Sequence, residues 1–252
     1  MASVYRQHEG IAMSGPPGAT PSPPPARGAQ GALLALLLVL TFNTGLVDAV
    51  SYLLLGHVFV ANMTGNIILL GFSLAGVEDF SLPASLAALA VFAMGAALSG
   101  RIGLKGPAPQ RRLLAYSLIT EGVLIALATV PLLLGMQPHE DFVRYWLIVL
   151  LGLSMGVQTA MVRLLAVPDL TTTVLTLTLA GLAADSSLAG GSNPRLKRRL
   201  AAVVLMLAGA AIGAALALHA GAAVVLLLAL VLLAAGGMAA YRALGASGSP
   251  TG

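Results

Sequence analysis

The chain has 252 residues, of which 58% are hydrophobic and 9% charged, and its mean hydropathy is +0.94. That much apolar surface cannot fit in one core beneath a wet exterior, so a water-soluble domain is excluded and an integral membrane protein is expected. The absence of cysteine excludes disulfides, thiolate metal sites and thiol nucleophiles. The net charge of +4 comes from basic residues in short loops between apolar runs, where membrane topology accounts for them better than nucleic-acid binding does.

Residues 1–30 are rich in Pro, Gly and Ser and lack periodicity, which predicts a disordered tail rather than a cleaved leader. A single membrane domain follows over 31–242, and 243–252 read as a second loose tail. Within the domain, six apolar runs are long enough to cross a bilayer: Gly31–Leu55, Leu82–Ile102, Leu113–Leu134, Phe142–Leu165, Leu200–Leu218 and Ala222–Ala240. Two shorter segments, Met63–Ala75 and Leu170–Ala184, would be only about 20–22 Å long as helices, short of a hydrocarbon core of about 30 Å. Either they span with help from flanking extended chain, or, as the favoured reading, they are re-entrant half-helices.

Charge placement supports that choice. One loop carries Arg101, Lys105, Arg111 and Arg112, and another Arg195, Lys197, Arg198 and Arg199. Both belong in the cytoplasm, which requires two crossings between them and leaves Leu170–Ala184 re-entrant. The same rule puts both termini inside, with Glu78, Asp79 and the "MQPHED" loop outside.

Shifting "ANMTGNIILLGFSLAG" by 107 positions lays it on "PDLTTTVLTLTLAGLA", with Asn62 on Asp169 and Thr64 on Thr171. Each half then reads as span, half-helix, span, span, over 31–135 and 142–241. Three crossings per half make the second repeat inverted relative to the first, an arrangement common in transporters. The expected fold class is therefore an all-α membrane protein of six transmembrane helices plus two re-entrant half-helices.

Polar residues gather at the starts of the half-helices. An extended lead-in over His57–Ala61 would reach roughly 16 Å into the bilayer, where Asn62 caps the returning helix. Backbone N–H groups at such an end form a site for an anion or polar ligand, and Gly65 would admit a close neighbour. Asp48 lies on a stripe with Thr44, Ser51, Tyr52 and Leu55. An acid inside a span is either functional or paired within the bundle, so Asp48 contacts solute or a proton, or locks the loop by accepting from Met63 to Gly65. The second half offers Ser154 and Gln158 opposite Asp169, Thr171, Thr172 and Thr173. The candidate solute- or ion-binding set is Asp48, Asn62, Thr64, Gly65, Asn66, Gln158, Asp169, Thr171 and Thr172.

Asp48 and Glu121 are the candidates for a proton relay. Caps at Asn62 and Asp169, back-bonding threonines and a Glu121 reaching for the interface are the structural alternatives. His57, His219, Tyr145 and Trp146 sit at span ends and read as interfacial. Gly95, Ser99 and Gly103, like Gly209 and Gly213, are spaced at four and predict close helix packing.

The segments "GLVDAVSYLLLGHVFVANMTGNIILLG" and "GLSMGVQTAMVRLLAVPDLTTTVLTLTLAGLAAD" resemble the paired signatures of the YoaK-like family of bacterial membrane proteins, a domain of unknown function. The resemblance covers about Leu33 to Arg242. It implies a bacterial inner-membrane protein of about six helices, and no substrate.

Enzyme motifs for zinc proteases, P-loops, nucleophile elbows and dinucleotide folds are absent from the sequence. The chain is not expected to be an enzyme, or to hold a cofactor or metal. The favoured reading is a transporter or permease for a small polar solute, with proton coupling open. A channel of the same architecture and a non-transporting membrane scaffold or partner subunit are the alternatives. The expected partners are the lipid bilayer and the solute, with no nucleic acid, and a homo-oligomer is compatible with the sequence.

Overall fold

A computed structural model describes residues 27–104, 110–165, 175–187, 190–192 and 196–246. The described chain forms eight helices: α1 (Arg27–Leu54), α2 (Met63–Leu74), α3 (Leu82–Leu104), α4 (Gln110–Leu133), α5 (Asp141–Leu164), α6 (Leu175–Ala184), α7 (Leu196–His219) and α8 (Ala222–Ala246). Six are long and apolar enough to cross a membrane, and α2 and α6 are the two shorter apolar helices. The protein is an all-α membrane protein.

Boundaries differ from expectation at both ends. Helix α1 is described from Arg27 rather than Gly31, four residues into the stretch expected to be a disordered tail. Helix α8 continues to Ala246, into the stretch expected to be a loose tail; Ala243 and Leu244 are strong helix formers that extend it. The rest of both tails lies outside the described residues.

Burial separates central helices from peripheral ones. In their most apolar stretches, 67% of α1 and 61% of α5 residues are buried, against 28% for α3 and 22% for α7. The closest packing is α3 on α5 and α1 on α7. Helix α8 packs on α1, α4 on α5, and α4 on α8, while α2 lies on α3 and α6 on α7. Helices α1 and α5 themselves meet over a short stretch.

Small residues permit the two tightest crossings. A methyl group on Gly95 of α3 would overlap the Leu153 carbonyl of α5, and one on Gly209 of α7 the Phe42 carbonyl of α1. Backbones that approach this closely gain van der Waals contact along the crossing, the main attraction between helices in lipid. The expected packing role of Gly95 and Gly209 therefore has named partners.

Candidate functional site

The chain leaves α1 through a sharp reversal. Gly56 (φ 88°) and His57 (φ 56°) both adopt the left-handed region, which costs little at glycine but is unusual for histidine. His57 is held by neighbours: its Nδ1 lies 3.0 Å from the Asp79 carbonyl oxygen, and its ring packs edge-on against Tyr52 at 5.2 Å. Tyr52 also stacks on Phe59 at 4.8 Å. These contacts fold the lead-in back along α1, with Val58, Val60 and Ala61 buried.

Asp48 receives that lead-in. Its Oδ1 accepts from the Val60 N–H at 3.1 Å and the Ala61 N–H at 2.9 Å. The lock differs from the expected one, in which Asp48 would accept from Met63 to Gly65. The helix start is already served by Asn62, whose Oδ1 accepts from Gly65 N–H at 3.2 Å. The lead-in is bent at Val60 and Ala61 rather than extended as expected, which turns their successive N–H groups toward one oxygen and leaves them in need of an acceptor. Asp48 lies six residues before the end of α1 at Leu54, so the bond draws the start of α2 back about 9 Å along α1.

Asn66 completes the lock. It is fully buried, its Oδ1 accepts from Phe59 N–H at 2.8 Å, and its Nδ2 donates to the Phe59 carbonyl at 2.6 Å. Both ends of the amide are spent on one residue of the lead-in. Gly65 is closely approached as expected, by the Phe59 ring and the Asn62 amide. Asn62 and Thr64 are exposed. Helix α2 therefore begins at a loop whose polar groups are largely satisfied from within.

Gln158 is buried on α5 and donates from Nε2 to Thr44 Oγ1 of α1 at 3.0 Å. This is a side-chain bond between the two central helices, and it joins residues singled out separately in the two halves of the sequence. The neighbouring Asn43, absent from the candidate set, is also fully buried, and its Nδ2 donates to the Ala229 carbonyl of α8 at 3.0 Å. An asparagine inside an apolar span was its available signal.

Several buried acceptors beside these bonds are unmet. Asn43 Oδ1, Gln158 Oε1, Ser154 Oγ and both oxygens of Glu121 have no hydrogen-bond partner among the described residues. Glu121 has no exposed surface and lies on one face of α4 with Ser117 and Ile125, so it points into the bundle and not toward the interface. Helix register relates it to α5: Trp146 Nε1 donates to the Leu127 carbonyl at 3.0 Å. Glu121 is six residues from Leu127 and Ser154 eight from Trp146, about 9 and 12 Å along antiparallel axes. Glu121 and Ser154 thus fall within one helical turn of the same level.

Asp169, Thr171 and Thr172 lie outside the described residues. Helix α6 is tied at its far end, where Arg199 Nη1 donates to Asp185 Oδ2 at 2.6 Å. The end of α6 therefore sits beside the basic start of α7. Among the described residues no group of three or more His, Asp or Glu side chains could hold a metal ion.

Comparison with known proteins finds a transmembrane relative. The UPF0700 transmembrane protein YoaK of Bacillus subtilis is 35% identical over 153 residues, covering 60% of this chain and 66% of that protein, just under two thirds of its length. No solved structure matches the chain significantly. The model of the family described as "Protein of unknown function (DUF1275)" matches residues 36–238, all six long apolar helices included in whole or part, and the chain belongs to that family.

Proposed function

We propose that this protein is a transporter or permease for a small polar solute, built from two inverted repeats with re-entrant α2 and α6. The observation that carries the reading is the set of buried, unmet oxygens on α1, α4 and α5: Asn43 Oδ1, Glu121 Oε1 and Oε2, Ser154 Oγ and Gln158 Oε1. Such groups cost free energy in an apolar interior unless something hydrogen-bonds to them. A polar solute, water or proton passing between the helices supplies that partner.

The packing pattern supports the repeat. Exchanging α1, α2, α3 and α4 for α5, α6, α7 and α8 turns each contact into another one present: α1–α7 into α5–α3, α1–α8 into α5–α4, and α2–α3 into α6–α7. The pairs α1–α5 and α4–α8 map onto themselves, as helices on a two-fold axis must. Re-entry of α2 is supported by the Asp48 bonds to Val60 and Ala61, and re-entry of α6 by the Arg199–Asp185 pair. In this arrangement both termini are cytoplasmic, in a bacterial inner membrane. Asp169, Thr171 and Thr172 would complete the binding set from the second half. No reaction chemistry is assigned to the chain.

Flux into proteoliposomes against a panel of small polar solutes tests the reading. A coupled carrier saturates and moves protons, and a channel conducts without saturation. No flux for any solute would favour a membrane scaffold, a reading to which the internally satisfied Asp48 and Asn66 also lend support. The topology has its own test in a chain without cysteine. Single cysteines at Lys105 and Lys197 should be shielded from an impermeant thiol reagent in intact cells, while those at Ser81 and His139 label. Labelling at only one of the two basic loops rejects the inverted arrangement.

A further inference from the structure

A second feature lies on the outside of the bundle, where α4 and α8 meet. A groove of about 420 Å³ runs between them, lined by Leu118, Gly122, Leu230, Leu233, Met238 and Tyr241 among others. Its lining carries almost no polar surface apart from the tyrosine, so it does not suit a solute. Its length does suit a lipid chain. From Leu230 to Tyr241 on α8 is about 16 Å, close to half of a hydrocarbon core of about 30 Å. That is the depth of one leaflet.

The end of the groove at Tyr241 is the basic end. The Arg111 guanidinium stacks over the Tyr241 ring, 4.0 Å from its centroid, and among the described residues this contact is with a ring rather than a carboxylate. Arg112 and Arg242, the next residues in sequence after Arg111 and Tyr241, are both exposed. The first turn of α4 contains no acid. An apolar slot one leaflet deep thus opens beneath a guanidinium that is held in place by stacking and meets no carboxylate among the described residues.

The geometry points to a site for one anionic phospholipid, its acyl chain in the α4–α8 groove and its phosphate on Arg111 with Arg112 and Arg242. Arginine suits the phosphate because its planar fork can donate two parallel hydrogen bonds while its face remains on the tyrosine. Gly122 leaves the room for the chain: a Cβ there would meet only a Leu233 methyl, at 3.7 Å. The site is independent of the proposed transport, and would exist equally in a scaffold.

The test uses the full-length protein in neutral detergent, supplied with phosphatidylglycerol or phosphatidylcholine of the same chains, with bound lipid read by native mass spectrometry. Phosphatidylglycerol should be retained in preference. Arg111→Gln should weaken its retention roughly fivefold, equivalent to about 1 kcal/mol for one basic group near the surface, and Arg111→Lys should keep most of it. Ile119 lines the groove and is 65% exposed, so Ile119→Trp should fill the slot from the lipid side and displace both lipids. If that variant does not fold, Gly122→Leu does the same. Equal retention of the two lipids, an intact preference in Arg111→Gln, or unchanged binding in the filled-groove variant would each overturn the site. Displacement of the lipid by soluble glycerol phosphate at equal concentration would overturn the role of the acyl chain.

Discussion

Asp48 on α1 and Glu121 on α4 are both acids buried inside apolar spans, yet their surroundings differ completely. Asp48 accepts two backbone N–H bonds through Oδ1 and thereby fixes the loop that leads into α2. Glu121 meets no hydrogen-bond donor among the described residues through either oxygen. Acids in spans therefore divide by partner. One that closes an irregular backbone segment has a structural duty whatever else it does, because lipid offers no water to replace it. One that closes nothing has no such duty, and under the proposed transport its partner would be a passing solute, water or proton.

The largest expected effect separates the two at once. Asp48→Ala orphans the Val60 and Ala61 N–H groups, at about 1–3 kcal/mol for each buried donor, so the variant should lose roughly 2–6 kcal/mol and melt well below the parent in detergent. Glu121→Ala should lose only what the cavity costs. Equal losses would erase the distinction.

A smaller effect sharpens it. Asp48→Asn keeps an oxygen able to accept from Val60 and Ala61, so the fold should survive with a loss of about 1 kcal/mol. If Asp48 also carries a coupling proton, uptake by this variant should no longer depend on pH. Surviving pH dependence would reassign coupling to Glu121, where Glu121→Gln should then remove it.

Smaller still, Glu121→Leu should change thermal stability by less than about 1 kcal/mol, or raise it, since no donor is orphaned and desolvating the acid is avoided, while Glu121→Gln, which brings two buried N–H donors of its own, should gain less. A large destabilisation would mean that Glu121 has a partner beyond the described residues. The smallest effect belongs to an acid at the surface. Asp141 is 83% exposed and pairs with Arg144 at 2.6 Å; Asp141→Asn should cost no more than about 0.5 kcal/mol, and less at high salt.

Much of the fold was legible in sequence because the controlling property is local. Six runs of sufficient length and apolarity mark six long helices, and two shorter apolar segments mark α2 and α6. The Asn62 cap was equally legible, since a cap and its N–H partner lie three residues apart. The polar stripe of α1 predicted that Thr44 and Asp48 face inward, and both are buried. What these side chains touch was not legible. The Thr44–Gln158 bond spans 114 positions, and depends on how two helices are rotated and staggered. Composition could single out Gly95 as a packing residue, but only the crossing of α3 on α5 made the Leu153 carbonyl its neighbour. Asp48 found Val60 and Ala61 because the reversal at Gly56 and His57 brought the non-helical lead-in back beside it. Run length and periodicity are set residue by residue along one axis; helix rotation, stagger and chain reversal are set by all the neighbours together, and they decided which buried polar groups were satisfied and which were left open.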